Sequence, residues 1–126
     1  MIVLDTNFLI AGLVPGTAQD ARLRQWLESS EPLAVSVIAW AEFLCGPVTP
    51  EHVRQASRLF PSPVALLPED AARAAELYNA TGRRRGSLAD CLIAATCLRL
   101  NAAIATDNTA DFCPFEPHGL RVLAST

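Results

Sequence analysis

Acidic side chains in this chain stand at the margins of short apolar segments, and that placement narrows the folds open to it. Asp5 ends the strand-like run Met1–Leu4, and Glu42 sits inside the apolar stretch Val37–Cys45. Asp90 is the only charge between Ser87 and Leu98. Asp107 follows the strand-like run Ala102–Ala105, with Asp111 four residues later. A buried carboxylate is costly unless it is protonated, paired or bound to a metal. Carboxylates that can meet at the end of a parallel sheet suggest a Mg²⁺ or Mn²⁺ site, and with it metal-assisted phosphodiester hydrolysis.

The order of segments predicts an α/β domain. Residues 1–6 read as a buried strand, because a continuous apolar run suits a sheet covered on both faces. Ala18 to Ser29 reads as a helix with Ala21, Trp26 and Leu27 inward, set off by Pro15-Gly16-Thr17. Leu33–Val35 is strand-like. Ser36 can N-cap a helix over Val37–Cys45, which Gly46-Pro47 stops. Pro50 opens a helix through Phe60, and Val64–Leu67 reads as a short strand. Pro68, followed by Glu69 and Asp70, opens a helix to about Ala80. Gly82 to Gly86 is a basic loop. Ser87 opens the helix 87–99, Ala102–Ala105 is a strand, and Gly119–Leu123 is the last. Strands alternating with helices predict one three-layer α/β/α domain, residues 1–126, with a mainly parallel central sheet.

Composition excludes several function classes. With 126 residues, 51% hydrophobic and 18% charged, the chain can bury a real core and does not resemble a disordered segment. No apolar run approaches the roughly 20 residues of a membrane span, and no basic segment precedes the first apolar run. The cysteines at 45, 91, 97 and 113 form no Cys-x-x-Cys pair, and His52 and His118 have no ligand-like spacing. Zinc is therefore disfavoured, Cys91 and Cys97 read as small core residues, and a reducing, cytoplasmic setting is the simpler expectation. Net charge is −3, with a pI near 5.3, so bulk charge will not grip nucleic acid. Local arginines can still neutralise phosphates. Arg83, Arg84 and Arg85, with Arg54, Arg58 and Arg73, supply such a patch.

Each acid has a plainer role to set against a catalytic one. The strings Leu4-Asp5-Thr6-Asn7 and Ala105-Thr106-Asp107-Asn108 each place an Asp, a Thr and an Asn near a strand end, where function collects in parallel folds but where turns and caps also use these residues. Asp90 lies three residues after Ser87 in a helix that is apolar nearly all round, so it reads both as a capping-box acid and as a carboxylate aimed at the loop edge. Glu42 alone would be a surface residue, and the scarcity of polar groups around it raises its standing. Asp111 can be a ligand or a turn cap. There is no phosphate loop, no His-Glu-x-x-His and no Gly-x-Ser-x-Gly elbow.

Taken together, these pieces resemble a PIN domain, and specifically the VapC-type toxin ribonucleases of bacterial toxin–antitoxin pairs. The resemblance is carried by Ile2-Val3-Leu4-Asp5-Thr6-Asn7, by Ser36-Val37-Ile38-x-x-x-Glu42, and by Leu88-Ala89-Asp90-Cys91-Leu92-Ile93-Ala94-Ala95. It continues through Ala105-Thr106-Asp107-Asn108-Thr109-Ala110-Asp111-Phe112 and Gly119-Leu120-Arg121-Val122-Leu123. It implies that Asp5, Glu42 and Asp90 form an acidic core that holds Mg²⁺ or Mn²⁺. Asn108 stands where many relatives have the fourth acid, so Asp107 or Asp111 would fill that role. Thr6, Asn7, Thr106 and Asn108 would orient ligands and water, and Arg83, Arg84 and Arg85 would touch RNA. The resemblance further implies a tRNA or rRNA substrate, a homodimer, and an antitoxin that covers the cleft. Trp26, Trp40, Phe43 and Leu44 offer apolar area for such contacts. Two alternatives stay open, a PIN-type RNA-processing nuclease outside toxin–antitoxin systems and a PIN-like binding protein without activity. A receiver-like domain would want a late lysine, and the chain has none.

Overall fold

The computed structural model describes residues 1–126 and has an α/β architecture. Strand β1 (Ile2–Leu4) leads into helices α1 (Thr6–Gly12) and α2 (Ala18–Glu28), then β2 (Leu33–Ala34). Helices α3 (Val37–Cys45), α4 (Pro50–Leu59), α5 (Pro68–Ala80) and α6 (Leu88–Arg99) follow. Strand β3 (Ala103–Ala105), α7 (Thr109–Phe112), a 3₁₀ turn over Cys113–His118 and β4 (Val122–Leu123) complete the chain. The sheet has the order β2-β1-β3-β4, and every pairing is parallel. The connection from β1 steps to one side and the connection from β2 crosses to the other. With the right-handed crossovers that parallel strands favour, this order would put helices on opposite faces, the three-layer arrangement the sequence predicts.

Burial explains the strands. Val3, Leu4, Ile104 and Ala105 are fully buried, as expected for central strands covered on both faces. Cys91 and Cys97 are core residues of α6, and burial pushes the Cys97 thiol up to about 12. Asp70 is 1% exposed. Its carboxylate accepts from Arg99 Nε at 2.8 Å and from the Leu67 amide at 2.9 Å, tying the start of α5 to the end of α6. That tie holds in place the helix whose first turn carries Asp90.

Several expectations need correction. Residues after Leu4 do not continue the strand. Asp5 caps α1 instead, accepting from the Thr6 amide at 2.8 Å, and Phe8 and Leu9 of that helix enter the core. Val64–Leu67 forms no strand, and only Val64 bridges, to Ser36, between Pro63 and Pro68. In α2 the inward residues are Leu23 and Trp26, while Ala21 and Leu27 face solvent. Trp26 stacks on Phe8 and Phe43 is fully buried, so those two rings serve the core rather than an interface. Ser87 does not form a capping box with Asp90, because it adopts helical angles and its hydroxyl donates to the Arg84 carbonyl at 2.7 Å.

Candidate active site

Strand β1 runs to one neighbour first and the chain then crosses to the other, so the order reverses between β1 and β3. In parallel α/β sheets the crevice beyond the carboxyl ends of two such strands is where ligands bind. Asp5 leaves β1 there, its amide still bonded to the Ala105 carbonyl at 2.9 Å. Thr106 leaves β3 beside it. A cleft of about 490 Å³ opens at this edge, and Asp5, Glu42, Asp90 and Asp111 all line it. The four come from the end of β1, from α3, from the first turn of α6 and from α7.

Asp5 is the most constrained of the four. It is 5% exposed, and Thr106, itself fully buried, donates its hydroxyl to Asp5 Oδ2 at 2.8 Å. The Asn108 amide in turn donates to Thr106 Oγ1 at 3.0 Å. Burial raises the Asp5 carboxyl above its ordinary range, and the Thr106 and Thr6 hydrogen bonds only partly offset it. Thr6 also donates its hydroxyl to Glu42 Oε1 at 3.0 Å, which links the second acid to the first. Asn7 and Asn108 line the cleft. Asp90 is half-buried. Burial, then the charges of Asp5, Asp111 and Glu42, push its carboxyl up to about 6, while Arg84 pulls the other way.

Asp107, expected in the site, stands apart from this group. Its Oδ2 accepts from Gln19 Nε2 at 2.6 Å and its Oδ1 from the Ser125 amide at 2.8 Å. Burial alone would raise its carboxyl, but the bonds from Ser125 and Gln19 outweigh that and lower it. The side chain thus pins the C-terminal segment to α2 and does not line the cleft. Of the two acids flanking Asn108, the structure brings Asp111 to the others.

The arginine triplet also divides. Arg83, in the loop after α5, donates its Nε back to Asn79 Oδ1 of that helix at 2.8 Å, and Arg85 is exposed. Arg84 alone is half-buried and reaches the cleft elements, donating Nη2 to the Asp111 carbonyl at 3.3 Å. Three adjacent identical residues carry no sequence signal for that difference, and the loop that sorts them has positive φ at Arg83 and at Gly86.

The donor set suits a hard divalent cation. Mg²⁺ and Mn²⁺ favour oxygen ligands, and a cation would relieve Asp90, whose ionisation is opposed by burial and then by the charges of Asp5, Asp111 and Glu42. No three of the chain's His, Cys, Asp and Glu side chains already converge as a ligand group. The residues fit such an ion through chemistry and shared charge rather than through a preformed cage. Mg²⁺ sites commonly use one or two carboxylates, with waters and substrate phosphates supplying the rest.

The pattern of the PIN domain family matches residues 2–113. No curated protein sequence matches the chain. Among solved structures, FitAcB from Neisseria gonorrhoeae superposes with a TM-score of 0.74 at 24% identity, covering 99% of this chain and 98% of that one. A toxin–antitoxin complex from Klebsiella pneumoniae gives 0.77 at 24% identity, covering 100% and 98%. VapBC2 from Rickettsia felis, bound to a DNA fragment from its promoter, gives 0.78 at 18% identity, covering 98% of each chain.

Proposed function

We propose that this chain, which belongs to the PIN domain family, is a metal-dependent endoribonuclease and the toxin of a toxin–antitoxin pair. The observation that carries the reading is the meeting of Asp5, Glu42, Asp90 and Asp111 in one cleft at the switch point of the sheet. Asp5, Glu42, Asp90 and Asp111 would hold Mg²⁺ or Mn²⁺. When bound, the ion supplies an activated water and stabilises charge on the phosphate and the leaving oxygen. The chain's own residues set the stage for that chemistry. Thr106 fixes one oxygen of Asp5 and the Thr6 amide fixes the other, which holds this carboxylate in place at the cleft. Thr6 aligns Glu42 by the same kind of bond. Asn7 and Asn108 stand where they can bond water or a ribose hydroxyl.

The toxin assignment draws on the neighbours, which are toxin–antitoxin complexes. A surface feature supports a protein partner. Leu13, Leu23, Leu27 and Leu59 line a groove of about 310 Å³ beside α1, α2 and α4, and Leu27 is 46% exposed. An antitoxin helix with an apolar face suits such a groove. A homodimer and a tRNA or rRNA substrate belong to the same proposal. Expression in a bacterial host tests it. Wild type should arrest growth, with discrete RNA fragments accumulating, and Asp5→Asn should not. Equal growth in the presence of both soluble proteins would contradict the toxin reading.

A further inference from the structure

Arg84 bridges two of the acid-bearing elements. Its main-chain carbonyl accepts from the Ser87 amide at 3.1 Å and the Ser87 hydroxyl at 2.7 Å, at the start of α6, one turn before Asp90. Its guanidinium donates to the Asp111 carbonyl at 3.3 Å, on α7. The Nε group is buried without a partner, a placement that local stability alone does not reward. Helix α7 spans only Thr109–Phe112 and has no side-chain N-cap, so its orientation depends on contacts with neighbouring elements. Phe112 anchors its far end in the core. At its near end the Asn108 amide donates to Thr106 Oγ1 at 3.0 Å, and between these two anchors the Arg84 guanidinium holds the Asp111 carbonyl.

We propose that Arg84 is a positioning residue, a clasp that ties α7 to the start of α6 and so sets the separation of Asp111 and Asp90. The inference rests on the metal-site reading above. Its test exploits a difference in sign. A cation beside a cation site opposes metal binding, so if charge alone matters, Arg84→Ala tightens Mn²⁺ binding. If the clasp matters, Arg84→Ala loosens it. Arg84→Lys should loosen it too, because an ammonium on a flexible stem lacks the planar fork.

The experiment is calorimetric titration of the full-length protein with Mn²⁺, beside hydrogen exchange of amides 109–112 without metal. Wild type, Arg84→Ala, Arg84→Lys and Arg85→Ala are compared. We expect both Arg84 variants to bind Mn²⁺ about tenfold more weakly, in the range found for residues that orient ligands. Their 109–112 amides should exchange faster, and Arg85→Ala should match wild type. Arg84→Lys keeps charge and bulk, so a folding defect in Arg84→Ala does not void the result. Unchanged or tighter Mn²⁺ binding with unchanged exchange overturns the clasp. Absence of Mn²⁺ binding in wild type overturns the metal site itself, and the exchange comparison then still decides whether Arg84 holds α7.

Discussion

Asp90→Asn should abolish RNA cleavage and at the same time make the fold more stable. If Asp90 holds the proposed metal, the loss follows from removing a charged ligand, and a decrease of about 100-fold or more is expected. The gain follows from linkage. The Asp90 carboxyl is pushed from 3.8 up to about 6, so the folded state binds more protons than the unfolded chain between those values. Stability therefore falls as pH rises through that window, and the loss is complete above the folded value. An asparagine cannot ionise and escapes it. Asp90 is only half-buried, so solvent screening reduces the full shift to about 1–2 kcal/mol. Urea denaturation at pH 8 should show a higher midpoint for Asp90→Asn with an unchanged slope. At pH 3.5 the two proteins should converge. A variant less stable than wild type at pH 8 would mean that the cleft does not hold this carboxylate under strain. Residues that function keeps at a cost to stability behave in this way.

Thr106→Val should damage both stability and activity. Thr106 is fully buried, and its hydroxyl works in two directions, donating to Asp5 and accepting from the Asn108 amide. Valine keeps the shape and removes both bonds, leaving a buried carboxylate and an amide short of partners. An expected cost of about 2 kcal/mol follows from stranding buried polar groups. Asp5, no longer held, should also lose its alignment, and cleavage should fall by about tenfold or more. Thr106→Ser keeps the hydroxyl and should recover most of the activity. A Thr106→Val protein with wild-type stability and rate would show that this bond carries neither property.

The order of elements is readable in the sequence where short apolar runs alternate with capped helices. Helix α3 begins and ends where Ser36 and Gly46 place it, and α5 begins at Pro68. The fully buried strands also announce themselves, since Ile2-Val3-Leu4 and Ala103-Ile104-Ala105 carry no polar face. Helix α1 is hidden because Phe8 and Leu9 extend the apolar run, and only the capping role of Asp5 reveals the change of structure. In the site, Asp5, Glu42 and Asp90 stand out as acids in apolar surroundings. The choice between Asp107 and Asp111 does not, because the direction of the turn after β3 decides it. Gln19 and Ser125, far away in sequence, claim Asp107. The distinct place of Arg84 within its triplet is likewise set by backbone angles that neighbouring residue types do not encode.

Whether the acidic cleft cuts RNA with the help of a divalent ion is decided by incubating end-labelled RNA with the purified protein, freed of any partner, in Mg²⁺, Mn²⁺ and EDTA. Wild type, Asp5→Asn and Asp90→Asn are run side by side. Cleavage at discrete positions that EDTA stops, that Mg²⁺ or Mn²⁺ restores and that both folded variants lack is the predicted result. Cleavage that persists in EDTA or in both variants, or none by wild type across tRNA and rRNA, would contradict it.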